Sequence, residues 1–157
     1  MICRKVGDFM QIPGHVKSFI LGELRAYRES VKELERLKKD KEDIYQRSRQ
    51  QMHEPVMGNH SGDPTYTKVV QLETIERKII YLEHRVAIIE TGLAMCTEEE
   101  RILLEYRYMQ EYEPTNEQTS IYMHYGDRNK FYRVRDSAIA KLAKAFGIYD
   151  ERWLRSE

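Results

Sequence analysis

Apolar residues recur with the period of an α-helix in three separate stretches of this chain. In the first, Ile20, Leu24, Tyr27, Val31 and Leu34 step by four, three, four and three, which keeps them on one helix face. Lys38 and Lys41 interrupt that line, and Leu37 with Ile44 and Tyr45 resumes it on a shifted one. The pattern predicts an amphipathic helix over 15–49, entered through a Pro13-Gly14 turn and weakly specified in its far half. The second stretch is sharper. Leu72, Ile75, Ile79, Leu82, Val86, Ile89 and Leu93 form an unbroken three-four heptad seam, which predicts a helix over 67–93. Val69, Val70, Ile80 and Ile88 widen the stripe beyond what a two-stranded coil buries, so this helix calls for more than one neighbour. Thr91-Gly92 reads as a loosening of its end.

Between these helices the residues from His53 to Tyr66 include Pro55, Gly58, Gly62 and Pro64 among small polar side chains. Such a run does not hold a helix, so a polar linker at about 50–66 is expected, irregular around 54–64. The economical arrangement is an antiparallel hairpin, 15–49 returning along 67–93. A homo-oligomer of two chains joined through the same 72–93 seam satisfies the pattern equally, because a heptad encodes a partner without naming it.

The third stretch, 97–147, carries the most local punctuation. Thr97-Glu98-Glu99-Glu100 is a capping box, and Ile102, Leu103, Tyr106 and Met109 follow at helical spacing. Pro114 ends that helix. Thr115-Asn116-Glu117-Gln118 is a second capping box, opening a short helix to about residue 123 or 124. Tyr125-Gly126-Asp127 predicts a tight break, with Gly126 supplying a positive φ and Asp127 the next N-cap. A last helix runs over 128–146 with Gly147 as its stop. Phe131, Val134, Ala138 and Leu142 form its inward stripe. Short helix, tight turn and longer helix is the layout of a helix-turn-helix.

Charge sharpens this picture. The chain is neutral, with 26 Lys and Arg against 26 Asp and Glu. Yet 128–145 holds Arg128, Lys130, Arg133, Arg135, Lys141 and Lys144 against the single acid Asp136, whereas 97–118 holds seven glutamates against Arg101 and Arg107. Phosphate binding depends on such local arrangement more than on total charge. In the first turns of this helix Arg128, Asn129, Lys130 and Arg133 are candidates for base edges, since Arg and Asn pair bidentately with guanine and adenine. Ser137 lies on the same side, and Lys141 and Lys144, further along, fit phosphate contacts.

At these residues the chain resembles a known family. The segment from Glu99 to Tyr108 is similar to the E-R-x-L-L-x-x-R-Y opening of a sigma-factor region 4-like domain, and that from Phe131 to Leu142 resembles its recognition helix. The order of helix, linker, helix and this domain is similar to phage and prophage late-gene regulators of the ArpU and RinA type. The resemblance implies a phage- or prophage-encoded transcription regulator acting on double-stranded DNA in the cytoplasm of a bacterial host cell. Contact with host RNA polymerase also follows from it.

Composition bounds the alternatives. A 157-residue chain with 41% hydrophobic and 33% charged residues suits long, partly exposed helices rather than one dense globule. Cys3 and Cys96 are too far apart for a disulfide framework or a zinc signature. His53 and His60 lack further ligands at metal spacing. No phosphate loop, nucleophile signature or HExxH motif occurs, so neither an enzyme nor a cofactor is expected. No apolar run approaches the ~20 residues of a membrane span, and no signal peptide is evident. The expected protein is all-α: a helical hairpin over 1–95, then a sigma region 4-like helix-turn-helix domain over 96–157. A helical protein-protein interaction module and the DNA-recognising small subunit of a phage packaging machine are the alternatives.

Overall fold

A computed structural model describes residues 10–51 and 64–154. Among these the secondary structure is helical, without strands: α1 (Gly14–Gln51), α2 (Pro64–Met95), α3 (Glu98–Tyr108), α4 (Asn116–Tyr122) and α5 (Arg128–Ala145), followed by a 3-10 turn at Glu151–Leu154. None of these helices is long and apolar enough to cross a membrane. The irregular stretch expected around 54–64 falls almost entirely outside the described residues, as do His53, His60 and Cys3. At its C-terminal end the expectation is corrected, because α2 starts at Pro64. Proline suits the first helical position, where its missing N–H has no intrahelical partner to lose.

The chain packs as two compact units. One comprises the chain up to Arg28 together with Ala87 onward, and the other is Glu29–Val86. The described part of the segment 96–157, residues 96–154, lies within the first unit, which also takes in the start of α1 and the end of α2. The core of that unit gathers Ile12, Val16, Ile20 and Leu24 from the α1 side, Ile89 and Leu93 from α2, Leu103, Leu104 and Tyr108 from α3, and Phe131, Ile139 and Leu142 from α5. Trp153 on the 3-10 turn closes it, its carbonyl accepting from the Gln11 amide at 3.2 Å.

Gly92 explains how α2 and α5 come so close. The helix does not loosen at Thr91-Gly92 but continues to Met95. A Cβ on Gly92 would sit 3.2 Å from the Leu142 Cα and 3.3 Å from the Ala145 Cβ. The glycine serves a backbone approach rather than a weak end.

Among the described residues of the second unit, Leu37 of α1 and Ile79 and Val86 of α2 are the buried apolar residues. Lys38 pairs with Glu83 at 2.9 Å and Lys41 with Glu76 at 3.1 Å. Later residues of α1 therefore meet earlier residues of α2. The seam positions Ile79, Val86, Ile89 and Leu93 are buried within one chain.

Candidate nucleic-acid interface

Local capping sets the positions of α3, α4 and α5. Thr97 accepts from the Glu100 amide at 3.2 Å while the Glu100 carboxylate accepts from the Thr97 amide at 3.3 Å. Thr115 and Gln118 repeat the box at 3.1 and 2.9 Å. Asp127 caps α5 by accepting from the Asn129 amide at 2.9 Å.

The turn between α4 and α5 is built differently from the sequence expectation. His124, with φ of 57°, takes the left-handed conformation; Gly126 does not. The His124 amide donates to the Ile121 carbonyl and the Tyr125 amide to the Ser120 carbonyl, the paired bonds of a Schellman cap. The end of α5 repeats the motif with glycine: Gly147, at φ 72°, donates to Lys144 and Ile148 to Ala143.

This frame divides the seven candidate residues on α5. Arg128, Asn129, Lys130 and Arg133 are exposed on its first two turns, while Phe131, Ala138 and Leu142 are buried and Val134 half-buried. Arg133 lies 3.7 Å from Asp127, and Lys130 lies 3.7 Å from Glu99 and over the Tyr125 ring at 4.9 Å. Such exposed pairs contribute about 0–1 kcal/mol, so an incoming phosphate can displace them. Tyr125 donates to Glu99 at 2.8 Å; partial burial and this bond push its phenol well above the ordinary value.

Ser137 and Lys141 point elsewhere. The Lys141 ammonium binds both oxygens of Glu100, at 2.8 and 2.7 Å, and the Ser137 hydroxyl donates to Glu100 Oε1 at 3.0 Å. Glu100 is only 6% exposed, and releasing Lys141 would strand a buried carboxylate, a cost of several kcal/mol. Both residues join α5 to α3 and leave the exposed face. Lys144 is exposed near the far end of α5, its ammonium 4.5 Å from the centre of the Tyr149 ring. Arg135 is likewise internal, donating to the buried Asp136, which also receives Lys17 at 3.1 Å.

Other residues shape the face without appearing among the candidates. A cleft of about 350 Å³ runs between Asn116, Ser120 and Ile121 on α4 and Arg128 and Tyr132 on α5. Arg107 of α3 donates to the Asn116 side chain at 2.7 Å. Hydrogen bonding from Asn116, then the bond and charge of Arg128, hold the Tyr132 phenol below its usual range against partial burial. Tyr132 occurs in the motif-bearing segment, but its neighbour Asn116 is sixteen residues earlier, beyond the reach of helical spacing. Among the described residues no group of three or more His, Cys, Asp or Glu is placed to hold a metal ion. Cys96 is a free thiol whose pKa is pushed up to about 11 by burial and then by the charge of Glu100.

Compared with known proteins, the chain matches no family model, no curated protein and no solved structure.

Proposed function

We propose that this protein binds double-stranded DNA through α4 and α5, acting as a helix-turn-helix of the sigma region 4-like kind beside a helical hairpin formed by α1 and α2. One observation carries this reading. Asp127 fixes the start of α5, so that Arg128, Asn129, Lys130 and Arg133 are exposed on its first two turns while Phe131 anchors the opposite side. In helix-turn-helix recognition the N-terminal end of the second helix reaches base edges in the major groove. Cations there supply counterion release, and Arg and Asn supply base-specific hydrogen bonds. Regulation of phage late genes, with host RNA polymerase as a partner, is the functional setting this reading favours.

Fluorescence anisotropy with a labelled random duplex, titrated at several salt concentrations, tests the binding step. Affinity should fall linearly in log–log terms, with a slope of about −0.9 for each phosphate neutralised. Absence of binding at low salt would overturn the proposal. Genome-wide mapping of bound DNA beside transcript levels tests the regulatory step, which fails if occupied sites show no relation to promoters.

A further inference from the structure

Among the described residues of the second unit, one face of α2 is left uncovered. Tyr66, Val69, Val70, Ile80 and Tyr81 are 68%, 48%, 43%, 66% and 60% exposed. With Glu73, Arg77 and His84 they follow helical spacing along one side, opposite Ile75, Ile79 and Val86. From Tyr66 to His84 the stripe runs about 27 Å at 1.5 Å per residue. Its burial is not completed by α1, whose partners on α2 in this unit include Glu76 and Glu83. Arg85 lies over the Tyr81 ring at 5.4 Å, but the ring remains largely exposed.

The order of residues in the stripe is palindromic about Ile75. Turned end to end, Tyr66 falls opposite His84, Val69 opposite Tyr81, Val70 opposite Ile80, and Glu73 opposite Arg77. An isologous two-fold contact requires this property, because residue i must meet residue j and j must meet i. Glu73 and Arg77 are exposed, and neither has an ion pair among the described residues. We propose that this face of α2 binds a second copy of the chain, the two α2 helices packing antiparallel with two Glu73–Arg77 pairs nearest the axis and Val70 against Ile80 and Val69 against Tyr81 on either side of them. A parallel, in-register pair would set Glu73 against Glu73 and Arg77 against Arg77. The seam positions Ile79, Val86, Ile89 and Leu93 are not involved, because they are buried within each chain.

Sedimentation equilibrium of the full chain, with far-UV circular dichroism as a check on helicity, tests this. Wild type should sediment as a dimer, and Ile80→Glu should raise the dimer dissociation constant by about a hundredfold with helicity unchanged, since a carboxylate then meets apolar surface across the axis. Glu73→Arg alone and Arg77→Glu alone should each weaken the dimer, because each places like charges opposite one another. An equimolar mixture of these two variants should form heterodimers, since the two arginines of one chain then face the two glutamates of the other across the axis. A monomeric wild type at millimolar concentration would overturn the proposal. So would a wild-type dimer left intact by Ile80→Glu, or a mixture no more dimeric than its components.

Discussion

The same two long helices build two units of very different density. In the first, the start of α1 and the end of α2 meet α3, α5 and the terminal turn, and Ile20, Leu24, Ile89 and Leu103 are almost wholly excluded from solvent. In the second, Glu29–Val86, the two helices have few buried apolar residues, Leu37, Ile79 and Val86, and ion pairs line their contact. A heptad seam runs through both without distinguishing them. Burial depends on how many neighbours a helix face finds, so one periodicity yields a dense core where several helices converge and a thin contact where only two meet.

Truncating equivalent side chains should expose this contrast most strongly. Leu103→Ala removes a fully buried side chain from the dense unit and should cost about 3–5 kcal/mol, whereas Leu37→Ala should fall near ~2 kcal/mol because its surroundings can collapse more readily. Urea unfolding measures both, and equal costs would remove the distinction between the units. Glycine to alanine sharpens it further by changing sign. Gly92→Ala drives a Cβ toward Leu142 and should destabilise by about 1–3 kcal/mol. Gly22→Ala, on α1 with nothing within 4 Å, should stabilise by about 0.5–1 kcal/mol through helix propensity. Thermal melts of the two variants, expected on opposite sides of wild type, check this. The smallest effect concerns backbone rather than packing. His124→Gly should raise stability by about 0.5–1 kcal/mol, since glycine takes the left-handed cap without a Cβ penalty. A loss instead would mean that the His124 side chain supports the turn.

What the sequence disclosed follows the range of the forces involved. Both capping boxes and the Asp127 cap join residues two or three positions apart, so their letters reveal them. The all-helical composition of the described residues was legible for the same reason, from spacings of three and four. Glycine at 126 looked like the left-handed residue by type, but the Schellman bonds at the end of α4 place that conformation at His124. Gly92 looked like a weak helix end because its reason, Leu142, lies fifty residues later. Ser137 and Lys141 looked like part of a basic outer face, since their buried partner Glu100 belongs to another helix. Ile12 gave no periodic signal, yet it is buried in the core. Each of these depends on tertiary neighbours that no local pattern encodes.

We propose that α5 meets DNA with Arg128 to Arg133, on its first two turns, while Ser137 and Lys141 are held internally by Glu100. The salt dependence of duplex binding for Arg133→Ala and Lys141→Met tests it most directly, with helicity of both variants confirmed beforehand. Arg133→Ala should make the log–log slope shallower by about one, as expected for one lost phosphate contact, or weaken cognate binding by about 1–3 kcal/mol if the contact is to a base. Lys141→Met should leave the slope at its wild-type value, because its ammonium is held by Glu100. A slope that becomes shallower by about one unit for Lys141→Met, while Arg133→Ala binds as wild type, would contradict this division of α5.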